Sequence, residues 1–138
     1  MGKKVVLDTN VWLSILLSKT LSEAFVPLIE RKEISVCLSH QLLRELAKVL
    51  TYPRIDRILR GAGVTPEAAL TSVVRSVRLV RPRQSVHVIK EDPADDRVLE
   101  CALAARARII VSGDHHLLAV KKYRGIEILK PRELRQTL

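Results

Sequence analysis

Aromatic residues are nearly missing: one Trp, one Phe and two Tyr make up 3% of the chain. So few rings argue against the base-stacking platforms that single-strand readers use. Cysteine is scarce too. Cys37 and Cys101 are the only two, and both lie inside apolar segments and not in loops. That usage excludes a disulfide framework and reads as reduced, packed thiols of a cytoplasmic protein. Long apolar runs are also missing, since charges break them well short of the roughly twenty residues a membrane span needs. The N-terminal segment reaches a carboxylate at Asp8, too early to hold a signal-peptide apolar region. No repeat, low-complexity tract or linker divides the 138 residues, so one domain over residues 1–138, with no membrane association, is the expectation.

What the chain does have is apolar content and positive charge. Apolar residues make up 47% and the mean hydropathy is +0.09. A chain of this size buries roughly two-thirds of its unfolded surface, so intrinsic disorder is excluded. There are 24 Lys and Arg against 15 Asp and Glu, for a net charge of +9 and a pI near 10.1. So basic a domain suits a polyanionic partner. The cations form no single tail. They recur as Arg54, Arg57 and Arg60, then Arg75, Arg78, Arg81 and Arg83, then Lys121, Lys122 and Arg124, a spread that solvated helix faces also produce. The acids are less even: Glu91, Asp92, Asp95, Asp96 and Glu100 place five of the fifteen in one short stretch. Such a knot is costly to assemble unless something positive sits in it.

Short apolar strands alternate with helices. Strands are expected at Lys3–Leu7, Ile34–Leu38, Val86–Ile89, Arg108–Ser112 and Ile126–Leu129. Helices are expected after Asn10, which can cap a segment holding Val11, Leu13, Ile15, Leu16 and Leu17, and over Ser22–Arg31. Ser39 offers an N-cap to a helix reaching about Tyr52, and a further turn or two spans Arg54–Arg60. Thr65-Pro66 and Asp92-Pro93 each combine a cap with proline at the first helical position, opening helices to about Val77 and Ala107. A short helix at His115–Val120 and a terminal helix after Pro131 complete the pattern. This is an α/β domain with a mostly parallel sheet covered by helices on both faces.

In such sheets ligands collect outside the carboxyl ends of the strands, at the switch in strand order. Asp8 ends the first strand. Asp114 follows the Arg108–Val111 strand after Gly113, and Asp92, Asp95 and Asp96 start the helix that enters that strand. Glu45 falls on the edge of the apolar arc of its helix, beside Val49, from where it leans toward the strand ends or sits as a solvated boundary residue. Each close pair of carboxylates costs on the order of 4 kcal/mol at an effective dielectric near 20. Protonation relieves this, and so does a divalent cation. All-carboxylate ligation suits Mg²⁺ or Mn²⁺ and not zinc. One or two such ions would support in-line displacement at phosphorus. Acidic knot and basic exterior then share one explanation, metal-dependent cleavage of nucleic acid.

Three segments carry a resemblance. Val5-Val6-Leu7-Asp8-Thr9-Asn10 resembles the opening of PIN-domain ribonucleases, and Leu42-Leu43-Arg44-Glu45-Leu46 resembles their helical glutamate. Asp92-Pro93-Ala94-Asp95-Asp96-Arg97-Val98-Leu99-Glu100-Cys101-Ala102, followed by Ile109-Ile110-Val111-Ser112-Gly113-Asp114, resembles their two late acidic positions. The match runs in order along almost the whole chain, and it is most similar to VapC-type toxin components of toxin–antitoxin systems. The resemblance implies a single PIN-like domain acting as a Mg²⁺- or Mn²⁺-dependent endoribonuclease, often a homodimer, held inactive by a small antitoxin. Its metal-binding acids would be Asp8, Glu45, Asp96 and Asp114, with Asn10 and Ser112 as polar support. The step from Asp96 to Asp114 fits the family spacing and selects Asp96. The helical wheel does not decide between it and Asp95, which can also reach inward. Asp92 reads as a helix cap beside the site. Arg54, Arg57, Arg97, Lys121 and Lys122 are candidates to hold RNA.

Competing readings fail on particular residues. A haloacid-dehalogenase-type phosphatase needs a general acid two residues after the first aspartate, and Asn10 stands there. A receiver domain needs paired acids near the first strand. Gly61-Ala62-Gly63 follows a helix and is no dinucleotide fingerprint. His115-His116 has no Cys or His at zinc spacing and reads as a turn at a helix start. Trp12 packs, at a subunit contact or in the interior. The alternative from another class is a non-catalytic PIN-like protein that binds RNA or its antitoxin without turnover.

Overall fold

The structure is a computed structural model describing residues 2–138. Six strands are present among the described residues: Lys3–Leu7 (β1), Ile34–Ser39 (β2), Val77–Val80 (β3), Ile109–Val111 (β4), Lys122–Tyr123 (β5) and Ile126–Leu129 (β6). Between β1 and β2 lie helices Thr9–Leu17 (α1) and Lys19–Glu30 (α2). Between β2 and β3 lie His40–Leu50 (α3), Pro53–Gly61 (α4) and Pro66–Ser76 (α5). Pro93–Ala105 (α6) leads into β4, and His115–Val120 (α7) follows it. Pro131–Leu134 (α8) and a 3₁₀ turn over Arg135–Thr137 close the chain. No single described helix is long and apolar enough to cross a membrane.

The sheet order is β3-β2-β1-β4-β6-β5, parallel throughout except for β5. Val5 pairs with Val36 on one side and Ile109 on the other, which fixes the register of the two central strands. Val5-Val6-Leu7 and Ile110-Val111 are wholly buried. Their unbroken apolar runs are what parallel strands covered on both faces require. From β1 the chain moves outward to β2 and β3, then returns through α6 to β4 on the far side of β1. Right-handed crossovers put α6 on the face opposite α1–α5, and α6 packs across β1, β2, β3 and β4. The reversal between β1 and β4 is the switch point, the place where such sheets form their ligand crevice at the carboxyl ends.

Local chemistry sets most boundaries. Ser39 Oγ accepts the Leu42 N–H at 3.2 Å and Thr65 Oγ1 accepts the Ala68 N–H at 3.1 Å. Proline opens α4, α5, α6 and α8, where its missing N–H is no loss. The cap of α1 is not Asn10, which lies exposed inside the first turn. Asp8 holds the cap position, and its carbonyl accepts the Val11 and Trp12 N–H groups. Trp12 is 3% exposed and belongs to the core, which removes it from any subunit contact.

The expected strand at Val86–Ile89 does not form; that stretch is an irregular loop. Its N–H groups are taken by carboxylates of α6 instead of a neighbouring strand. Glu100 Oε2 accepts the Val86 N–H at 2.8 Å, and Asp96 Oδ1 accepts those of Val88 (3.0 Å) and Ile89 (2.9 Å). The strand that does precede α6 is β3, which pairs with β2 as a sheet edge. Cys37 and Cys101 are buried free thiols, as expected. Burial pushes the Cys101 thiol up to about 12, which leaves it inert at neutral pH.

Candidate metal centre

The crevice is floored by the ends of β1 and β4. Asp8, 7% exposed, stands at the end of β1, and its N–H still pairs with the Val111 carbonyl at 3.0 Å. Ser112, fully buried just after β4, donates its hydroxyl to Asp8 Oδ2 at 2.8 Å. The same Ser112 Oγ accepts the Asp114 N–H at 2.9 Å. One hydroxyl thus locks the two strand-end aspartates into a fixed relation. Asp114 Oδ1 in turn accepts the N–H groups of His116 (2.8 Å) and Leu117 (3.3 Å), capping α7.

Two further acids come from α6. Asp92 caps that helix through the Ala94 N–H at 3.1 Å, and one oxygen each of Asp92, Asp95 and Asp114 lie within 4.8 Å of one another. Glu45 reaches in from α3: its Oε2 accepts the Thr9 hydroxyl at 3.3 Å, next to Asp8. Glu45 thus combines the two readings left open for it: it is solvent-exposed, and its hydrogen bond with Thr9, an unforeseen partner, turns it toward the end of β1.

The charges respond to this crowding. Burial first, then the charges of Asp114, Asp92 and Asp8, pushes the Asp95 carboxyl up to about 7. Burial also raises Asp8, against the hydrogen bond from Ser112, with Asp114 and Asp92 adding to the rise. Partial desolvation raises Glu45 in the same way, with Asp8 and Asp92 contributing. Asp114 moves the other way. Desolvation alone would raise it, but the N–H groups of His116 and Leu117 and a proton shared with Asp95 hold it below the usual carboxylate range. Below neutral pH, then, the proton of the pair sits on Asp95 and the negative charge on Asp114.

One atom marks what the arrangement lacks from protein. No N–H or O–H of the described residues reaches the buried Asp95 Oδ2. Nor does any Lys or Arg of the described residues form an ion pair with Asp92, Asp95 or Asp114. Three convergent carboxylates, one with an unpartnered buried oxygen, fit a hard divalent cation such as Mg²⁺ or Mn²⁺. His115 and His116 stand at the rim with Asp114, also within ligand distance of one another. His116 Nδ1 is 3.6 Å from Asp114 Oδ1, so the pair at this turn faces the site more closely than its sequence suggested.

The sequence reading chose Asp96 and left Asp95 open as an acid that can also reach inward. Asp96 Oδ1 accepts the Val88 and Ile89 N–H groups, and Asp95 is the one of the two that lies within ligand distance of Asp92 and Asp114. Arg97 is likewise turned inward. Its Nη2 lies 2.7 Å from Glu100 Oε2 and 3.3 Å from the Val86 carbonyl, which ties it to the loop. Arg54 and Arg57 are exposed on α4, Lys121 closes α7, and Lys122 lies on β5.

Two comparisons bear on this geometry. A family model described as the PIN domain matches residues 4–116, which takes in β1, α3, α6, β4 and every acid named above. No curated protein matches the chain.

Proposed function

The chain belongs to the PIN-domain family, and on that premise we propose that it is a divalent-metal-dependent endoribonuclease, the toxin half of a VapC-type toxin–antitoxin pair. PIN domains are generally nucleases that use divalent metal ions. The observation that carries the reading is the meeting of Asp92, Asp95 and Asp114 around an unpartnered carboxylate oxygen at the switch point. The toxin assignment draws on the resemblance of the three acidic segments, as do the small antitoxin, the homodimer and the cytoplasmic location.

Asp95, Asp114 and Asp92 would hold one ion, with Asp8 and Glu45 completing the shell or holding a second. When bound, Mg²⁺ or Mn²⁺ supplies the positive charge these acids need and a Lewis acid for phosphate oxygens. The chain's own residues do the positioning. Ser112 fixes the Asp8 carboxylate, the backbone of α7 fixes Asp114, and Thr9 fixes Glu45. Asp95 is the group that gives up a proton as the site fills, so occupancy rises with pH through the neutral range.

The test is cleavage of a labelled, structured RNA by purified protein with Mg²⁺, with Mn²⁺ and with EDTA. Asp8→Asn and Asp95→Asn, checked for fold by circular dichroism, are expected to lose cutting by a factor of about 100 or more, a few kcal/mol of transition-state stabilisation. RNA that is bound but never cut would move the chain to the non-catalytic binding alternative, and cutting undiminished in both variants would remove these acids from the chemistry. For the toxin reading, induced expression is expected to arrest growth and the Asp8→Asn chain is not.

A further inference from the structure

The opposite end of the sheet carries the reverse charge. At the amino ends of β1, β4 and β6 a cleft of about 940 Å³ is lined by Lys3, Lys4, Arg106, Arg108, Lys122 and Arg124, with Glu127 as the one carboxylate in its wall. Among the described residues none of these six cations forms an ion pair. The cleft does not end there. Arg106 and Leu103 are shared with a second cleft of about 540 Å³ that adds Arg81 and Arg83 beside Glu100, which is already paired with Arg97, and Arg124 bridges to Gln84 on its rim at 3.1 Å. The result is a track and not a point site.

Of the four described residues other than glycine with positive φ, Lys32, Arg106, Lys121 and Arg124, two line the cleft, Arg106 at 56° and Arg124 at 47°. A substitution at either must respect that backbone, for which glycine or asparagine is the less strained choice.

We infer that this track is a binding surface for the phosphodiester backbone of RNA, separate from the acidic crevice. Elongated basic lining favours a polyanion over a single phosphate. The one aromatic ring beside it, Tyr123, is covered by the Arg124 guanidinium at 5.2 Å, which leaves no platform for stacked bases. Contacts would therefore go to phosphates and carry no sequence preference. β1 spans five residues, so at roughly 3.3 Å per residue the amino-end cleft lies about 17 Å from the carboxyl-end crevice. One phosphate cannot serve both sites, and the track grips a distant part of a structured or wrapped strand. The choice of RNA as the polyanion rests on the nuclease reading, but binding does not require cutting.

The test is fluorescence anisotropy of a labelled 30-nucleotide single-stranded RNA in EDTA, over a range of KCl. The cleft variant combines Arg106→Asn, Arg108→Ala, Lys122→Ala and Arg124→Asn, with asparagine chosen to tolerate the left-handed backbone. A charge-matched control combines Lys19→Ala, Arg31→Ala, Arg44→Ala and Lys48→Ala. The cleft variant is expected to bind at least tenfold more weakly. With about 0.7 counterions released per phosphate contact on single strands, its log–log salt slope should be shallower by about 3. The control should keep wild-type affinity and slope. Equal losses in both variants would mean that bulk charge alone holds RNA, and an unchanged cleft variant would place RNA elsewhere; either overturns the inference. Metal-dependent cleavage of the same RNA, followed separately, can fail without touching this result.

Discussion

In metal-free protein the crowding of Asp95 should be visible as an inverted pH dependence of stability. Folded Asp95 keeps its proton to about pH 7, whereas the unfolded chain releases it near the ordinary 3.8. Between those values the folded state binds a proton that the unfolded state lacks, so stability falls as pH rises and levels off above 7. Asp8 and Glu45, also raised, act in the same direction. Asp114, being lowered, contributes stability that is lost only as the pH drops below 3.8, outside the window. Each pH unit is worth about 1.36 kcal/mol, so the Asp95 contribution between pH 5 and 7 has a ceiling of about 2.7 kcal/mol. Asp114 is 23% exposed at the crevice mouth, and the screening this admits reduces the expectation to about 1–2 kcal/mol. Urea unfolding in EDTA at pH 5 and pH 8 should show that loss in the wild type. Asp95→Asn should flatten it and be the more stable protein at pH 8 by a similar amount. Adding Mn²⁺ should reverse the order, since binding to the folded state stabilises the wild type by linkage. A wild type equally or more stable at pH 8, or an Asp95→Asn variant less stable there without metal, would refute the placement of Asp95.

Asp96 should behave as a fastener. Asp96→Ala leaves the Val88 and Ile89 N–H groups without their charged acceptor and should cost about 2–4 kcal/mol in urea unfolding, with or without metal. A loss under 1 kcal/mol would show that the loop is held by other means. Ser112→Ala removes a donor to Asp8 and an acceptor for Asp114. It should cost about 1–2 kcal/mol and weaken Mn²⁺ binding, read as the metal-induced rise in unfolding midpoint; an undiminished rise would mean that Asp8 is positioned without Ser112.

Asp8, Ser112 and Asp114 were legible because their positions follow from topology. Short buried strands alternating with helices imply a parallel sheet, and the chain's reversal beside β1 puts the ends of β1 and β4 together. Asp95 and Asp96 were not separable in the same way. Adjacent residues on a helix diverge by about 100°, yet both are buried here, one against the crevice and one under the loop. Which faces which depends on how the 81–91 loop folds back, a tertiary matter. That loop misled the strand reading for the same reason. Val86, Val88 and Ile89 have strand propensity, but a backbone whose N–H groups meet Asp96 and Glu100 has no need of a partner strand. β3 was hidden because Arg78 and the exposed Leu79 break its apolar pattern, as befits an edge.

The two charged sites bear on each other through what neither contains. A chain with 24 cations could neutralise its acidic knot internally, and among the described residues it does so only at Glu100, where Arg97 forms the pair. Among the described residues Asp92, Asp95 and Asp114 form no ion pair with Lys or Arg, and the six cations of the amino-end cleft form none with Glu127, the one carboxylate in its wall. Charges kept for stability would be expected beside their opposites, where even a modest pairing energy is gained. Instead the two signs are held apart by the length of the sheet, each at a cost in self-repulsion that the fold does not recover. Both costs are offset only by something from outside: a cation at the carboxyl ends, and a polyanion at the amino ends. If the acid site cuts phosphodiesters, as proposed, and the basic track grips them, these are the two halves of one requirement. The Glu100–Arg97 pair serves the scaffold between them, tying α6 to the loop that leads into Asp92.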